Sequence, residues 1–142
     1  KTLPETVQRR EADFYRQMKD GITKLPRKVI LTRIETWASA GVPDLMICDE
    51  DGHFHFIELK NTSTNAVELR PHQVAWACRH GHASSWILVR KQTSAKADQE
   101  LYLFKGHHAV ELRMEGLQAV EPVCHQIKKF DWSEVLDLIT RR

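Results

Sequence analysis

Cysteine is scarce in this chain: Cys48, Cys78 and Cys124 are odd in number, widely spaced and form no C-x-x-C pair. That argues against a disulfide framework and against a zinc knuckle, and the expectation is three reduced, mostly buried thiols. Long apolar runs are missing as well. None approaches the roughly 18–20 residues of a membrane span, and the polar opening KTLPETVQRR does not read as a signal peptide, so the expectation is a soluble, cytoplasmic protein with no membrane partner. There is no internal repeat and no low-complexity tract. A strong charge of either sign is also absent, since the net charge of +2 is too small to announce a nucleic-acid binder.

What is present suits one compact domain over residues 1–142, with 42% apolar and 28% charged residues. A chain of this length buries roughly 68–70% of the surface its unfolded form exposes, so neither a disulfide nor a structural metal is required for stability. The charge is unevenly placed. Residues 1–33 hold nine Lys or Arg against four acids, and residues 34–142 hold twelve against fifteen. This asymmetry suggests a basic face, formed by Arg9, Arg10, Arg16, Lys19, Lys24, Arg27 and Lys28, beside an acidic site. A solvated helix face would look the same on charge alone.

Hydrophobic periodicity predicts a helix from about Pro4 to Asp20, with Pro in the first turn and Gly21 as its stop. Its apolar stripe is Val7, Phe14, Tyr15 and Met18, and one turn after Val7 that stripe carries Glu11. Lys28 to Trp37, Pro43 to Asp49 and His53 to Lys60 read as strands, the last two joined by a turn at 50–52. A helix from near Pro71 to His80 with Gly81 as its stop follows, then a strand over Ser85 to Arg90. Residues 100–104 and 108–113 read as further short strands turning at Gly106, and Asp131 with Glu134 opens a closing helix. The order is α-β-β-β-α-β followed by less regular elements, an α/β chain with a mixed central sheet flanked by helices.

The chemistry gathers on the predicted hairpin. Glu58 and Lys60 are two residues apart and share a strand face, and folding the hairpin brings Asp44 to the same end. Two carboxylates held close repel, and a bound divalent cation relieves them. The candidate ligands are all oxygens, which favours Mg²⁺ or Mn²⁺ over zinc. Such a site suits phosphodiester hydrolysis, with Lys60 stabilising developing negative charge. On spacing alone, a salt-bridged strand end would use the same residues.

Gly41-Val42-Pro43-Asp44-Leu45 and Ile57-Glu58-Leu59-Lys60 resemble the G-x-P-D and E-x-K motifs of the PD-(D/E)XK nucleases, and Leu69 with Gln73 resembles the L-x-x-x-Q signature of the VRR-NUC branch. The resemblance covers roughly residues 5–90 and implies a restriction-endonuclease-like core. It implies Asp44, Glu58 and the Leu59 backbone carbonyl as metal ligands and Lys60 as the catalytic lysine. Glu11 resembles the N-terminal helix glutamate of the VRR-NUC and Holliday junction resolvase branches, which completes the metal site. Glu35 is its rival, less favoured. Gln73 would orient the lysine or water. The implied activity is a Mg²⁺-dependent endodeoxyribonuclease, structure-selective in the manner of a resolvase and acting on branched DNA as a homodimer in a bacterial or phage-infected cell. A restriction-like or nicking nuclease, or a nuclease-fold DNA-binding module without catalysis, are the alternatives.

Other residues invite blander readings. Cys78-Arg79-His80-Gly81-His82 straddles a helix end and lacks a second ligand pair, so it makes a poor zinc site. His53, His55, His107 and His108 read as turn or strand-surface residues, and His72 as a candidate for touching phosphate. Trp37, Trp76, Trp86 and Trp132 fall within predicted elements, where core packing is expected ahead of base stacking.

Overall fold

The computed structural model describes residues 5–34 and 40–141, with side chains from Arg10 onward. Helix α1 spans Glu5–Thr23 because Phe14, Met18 and Ile22 recur at helical spacing, and all three are fully buried. It runs past the expected stop. Gly21 lies inside the helix, not at its end, because Trp132 leans on the backbone there, and a Cβ at Gly21 would collide with the indole at Trp132 Cδ1. The glycine permits a close approach; it does not terminate the helix.

Three strands follow: β1 at Ile30–Arg33, β2 at Leu45–Cys48 and β3 at Phe54–Thr62. The expected first strand was longer, but its far end, with Glu35 and Trp37, lies outside the described residues. Helix α2 at Pro71–Arg79 and strand β4 at Ser85–Lys91 match their expectations closely. Strand β5 is Glu100–Lys105. The segment expected to be a strand at 108–113 is instead α3, Ala109–Glu115, entered through a 3₁₀ turn at Gly106–His108. The reason is visible in its buried positions. Ala109 and Leu112 are three apart, both wholly buried, and Glu, Leu, Arg and Met are strong helix formers. Strand β6 at Cys124–Ile127 was not anticipated, since only Cys124 of its four residues is buried. Asp131 caps α4, Trp132–Thr140, by accepting from the Glu134 backbone N–H at 3.1 Å.

The six strands form one sheet in sequential order, antiparallel throughout except where β3 pairs parallel with β4 across the α2 connection. One face carries α1 and α4 over Leu45, Ile47, Ile57, Leu59, Leu88 and Leu101. The other carries α2 and α3 over Ile87, Val89 and Phe104. With helices on both faces, β3 is buried from Ile57 to Lys60 without alternation. Trp76, Trp86 and Trp132 are buried as expected. All three cysteines are free, and Cys78, contrary to expectation, is exposed. No described helix is long and apolar enough to cross a membrane.

Gly21→Ala sets two effects against each other. Alanine gains helix propensity of roughly 0.5–1 kcal/mol, whereas overpacking a filled site costs about 1–3 kcal/mol. The indole is anchored in the core, so overpacking wins, and urea denaturation is expected to show a net loss of stability. An unchanged or raised midpoint would show that Trp132 swings clear.

Candidate active site

The β2–β3 register builds the site. Leu45 pairs with Ile57 in an antiparallel ladder, so the next position places Asp44 opposite Glu58 on one sheet face. The Asp44 carboxylate then takes over from the ladder by accepting the Leu59 backbone N–H at 2.7 Å, while its carbonyl accepts from the Ile34 N–H at 2.8 Å. Gly41 fixes the loop that delivers Asp44. Its φ is +85°, favourable only for glycine, and a Cβ there would collide with the His72 carbonyl oxygen. The entry to β2 is thereby held against the first turn of α2.

That turn supplies Gln73. Its Oε1 accepts from the Arg70 backbone N–H at 2.9 Å, closing the helix N-terminus, and from Lys60 Nζ at 3.1 Å. Its Nε2 donates to Glu58 Oε2 at 3.1 Å. Lys60 Nζ also lies 3.5 Å from Glu58 Oε2. Glu58 and Lys60 are only 5% and 8% exposed, so this is no ordinary surface ion pair. Burial pushes the Glu58 carboxyl well above its ordinary value, the nearby Asp44 charge raises it further, and Lys60 offsets only part of that.

Glu11 approaches from α1. Burial raises its pKa, and the Asp44 charge adds to the rise, while Lys60, Arg70 and Arg33 oppose it. It therefore shares the electrostatic field of Asp44 and Lys60. The ligand atoms of Glu11, Asp44 and Glu58 do not all come within 4.8 Å of one another; among the described residues only Asp49, Asp51 and His53 make such a group. Glu35 lies outside the described residues. Arg70 and Arg33 were not anticipated; Arg70 lies inside the Leu69–Gln73 signature, and Arg33, at the end of β1, carried no signal in the sequence.

The Asp49–Asp51–His53 group could hold a metal ion, though Asp49 is already heavily engaged. Its Oδ1 accepts backbone N–H groups of Asp51 and His53 at 2.9 and 3.0 Å, and its Oδ2 meets His55 Nε2 at 2.8 Å. These bonds, His55 first, hold the Asp49 carboxyl far below its ordinary value. His55, expected at the surface, is buried because Asp49 and the Ser84 hydroxyl satisfy both ring nitrogens. The Cys78–His82 segment forms no metal-spaced group among the described residues.

Of the basic residues, Arg10, Arg16, Lys19, Lys24 and Lys28 are exposed, and the Arg9 side chain lies outside the described set. Arg27 is engaged. It donates to both Glu50 oxygens at 2.7 and 2.9 Å and to Asp137 at 3.0 Å, holding Glu50 down at about 2.

The donor set fits a hard divalent cation. Asp44 and Glu58 are oxygen donors facing each other, one of them buried and raised in pKa by the other, and a cation between them would relieve both burdens. The chain matches no family model and no curated protein. Among solved structures it is similar to Hjc, a Holliday junction resolvase from the archaeal hyperthermophile Archaeoglobus fulgidus, at 13% identity over 66% of this chain and 72% of that one, with a TM-score of 0.38.

The raised Glu58 pKa carries a signed consequence for the metal-free protein. Its unfolded value is near 4.5 and its folded value is higher, so the favourable protonated state is fully present below about pH 4.5 and lost as pH rises through the folded pKa. Glu58→Gln mimics the protonated form, and Asp44 and Glu11 remain to balance Lys60. In EDTA the variant is expected to be more stable than wild type at neutral pH, with the gain closing toward pH 4.5. A gain that persisted undiminished in acid would disconnect it from Glu58 ionisation.

Proposed function

We propose that this protein is a divalent-metal-dependent deoxyribonuclease of the PD-(D/E)XK type that cuts phosphodiester bonds within DNA, selecting branched substrates such as a four-way junction. The observation that supports the reading is Asp44, one step beyond the last β2–β3 ladder pair, accepting from the Leu59 N–H beside buried Glu58, with Lys60 two residues on and Gln73 bonded to both Glu58 and Lys60. Asp44, Glu58 and the Leu59 carbonyl would hold Mg²⁺ or Mn²⁺, with Glu11 on the open side. When bound, the ion supplies Lewis-acid activation of water and of the phosphodiester.

The protein's own groups do the rest. Lys60 presents its ammonium to the negative charge that grows on the phosphate. Gln73 holds that ammonium in place, since its Oε1 is itself fixed by the Arg70 N–H. The exposed Arg10, Arg16, Lys19, Lys24 and Lys28, with Arg9, would carry the DNA backbone, which recognises junction shape through phosphates and not bases. We further propose a homodimer in the cytoplasm, because a four-way junction offers two symmetric strands to a twofold enzyme.

The deciding experiment is a cleavage assay on linear duplex, flap, splayed-arm and four-way junction DNA of shared sequence. Mg²⁺ or Mn²⁺ is expected to support paired nicks in the junction, Ca²⁺ only binding, and EDTA no cleavage. Asp44→Asn and Glu58→Gln are expected to abolish cutting with binding retained. Lys60→Ala should cost about 10²–10³-fold and Gln73→Ala about 10–100-fold. Full cleavage in EDTA would sink the reading, and junction binding by a protein that never cuts would leave a DNA-binding module.

Charge reversal at Arg9 and Arg10 should weaken DNA binding and flatten its salt dependence by about one slope unit for each phosphate no longer neutralised. Arg27→Ala is the counter-case. Because Glu50 and Asp137 hold its guanidinium, it is expected to lower the thermal midpoint while leaving the salt slope unchanged. A flattened slope for Arg27→Ala would place the DNA path across that ion-pair network.

A further inference from the structure

A cavity of about 370 Å³ opens between α1 and the C-terminal ends of the parallel strands β3 and β4, within the size range of small-molecule sites. Its walls include Arg10, Asp13, Asn61, Arg90, Ser94 and Gln99, and no aromatic or large apolar side chain lines it. An occupant must therefore be held by hydrogen bonds and charge, not by stacking.

One wall is rigid. Arg90 is 6% exposed and lies 5.0 Å from the Phe14 ring centroid. It donates to Asn61 Oδ1 at 2.8 Å, Asp13 Oδ2 at 2.9 Å, Gln17 Oε1 at 2.7 Å and the Arg10 carbonyl at 3.3 Å. Asn61 spends its acceptor there and leaves Nδ2 buried with no partner, an unmade bond that folded proteins rarely tolerate. Asp13 is committed to Arg90 and Arg16, whereas the exposed Arg10 guanidinium pairs with no carboxylate among the described residues. The cavity thus offers one uncommitted positive charge, that of Arg10, while the unpaired Asn61 amide lies buried behind its wall.

The cavity shares no lining residue with the carboxylate site but takes its walls from residues next to it in the chain. Arg10 and Glu11 are successive on α1, about 100° apart around the helix, and flank the buried Phe14 on opposite sides. Glu11 looks toward Asp44 and Lys60, and Arg10 toward Arg90 and β4. Asn61 likewise follows Lys60 on β3, on the opposite sheet face. On both elements the two sites thus use successive residues that face different ways.

We propose that this cavity is a nucleotide subsite, binding one deoxynucleoside monophosphate unit with its phosphate on Arg10 and its polar edges on the Ser94 loop. The inference rests on the nuclease reading only for the source of that unit, a nucleotide of the strand beside the one being cut.

Metal-free, isotopically labelled full chain in EDTA is titrated with thymidine 5′-monophosphate, thymidine, inorganic phosphate and a thymidine tetranucleotide, following backbone amide shifts. The monophosphate is expected to give saturable shifts at residues 61–63 and 92–95, stronger than thymidine or phosphate alone. Ala95→Trp, which fills the cavity from an exposed loop, should weaken it at least about tenfold without moving amides of β1 or β6, and Arg10→Gln should weaken it too. A tetranucleotide that binds tighter than the monophosphate identifies a strand nucleotide, and equal binding identifies a free one. No saturable shift at those amides, or shifts untouched by Ala95→Trp, overturns the subsite. Asp44→Asn keeps the two readings separate: it should leave these shifts intact. A protein that cuts DNA but fails this titration loses only the subsite, and one that passes but never cuts loses only the nuclease.

Discussion

Two carboxyl groups facing each other at the end of an antiparallel ladder are the constraint on which the rest of this molecule turns. Asp44 and Glu58 sit at a register position where ordinary sheets avoid paired carboxylates, and Glu58 is buried there as well. Their repulsion is not dissipated by solvent. It is opposed by Lys60, by the Gln73 amide and by the Leu59 N–H that Asp44 accepts. Each of these comes from an element that must be placed accurately, which is why Gly41 lies against His72 and why α2 begins where it does.

Accurate placement at one end of the sheet requires rigidity elsewhere. Strand β3 is covered on both faces, by α1 and α4 on one side and by α2 and α3 on the other, so its polar end cannot relax by tilting without disturbing two cores. Arg90 performs the corresponding task for α1. A guanidinium with four internal bonds joins the N-terminal half of that helix to β3 one residue beyond Lys60, and it thereby sets where Glu11 can reach. Arg27 ties the hairpin turn to α4 through Glu50 and Asp137. A buried, charge-rich site persists because its surroundings hold each of its groups in place.

The portion of this arrangement legible in the sequence was the portion encoded locally. The E-x-K spacing fixes a shared strand face whatever the fold does, and a hairpin of nearly equal arms must bring Asp44 to it. Helix α2 announced itself through Pro71 and its apolar spacing. What stayed hidden depends on partners distant in sequence. Gly21 resembles a helix stop unless Trp132, more than a hundred residues later, is known to lean on it. Residues 108–113 alternate like a strand, and only the face offered by Ile87 and Val89 selects the helix that buries Ala109 and Leu112. Strand β6 has one buried residue in four and owes its existence to pairing with β5. His55 looks like a surface residue until Asp49 and Ser84 are seen to satisfy both nitrogens.

The last fifty residues, which carry no motif, acquire a role from this geometry. Parallel pairing of β3 with β4 leaves β4 needing a further neighbour, and β5 and β6 provide it while α3 and α4 close one face each. Without them β4 would be an open edge and Arg90, near its end, would lose the buried surroundings that make its four bonds effective. Glu11 would then be held only by the packing of Phe14, Met18 and Ile22 further along its helix. The β2–β3 register sets Asp44 against Glu58, but the reach of Glu11 toward them also draws on the C-terminal segment, through a chain that runs from the β4–β5 ladder to Arg90 and from Arg90 to α1.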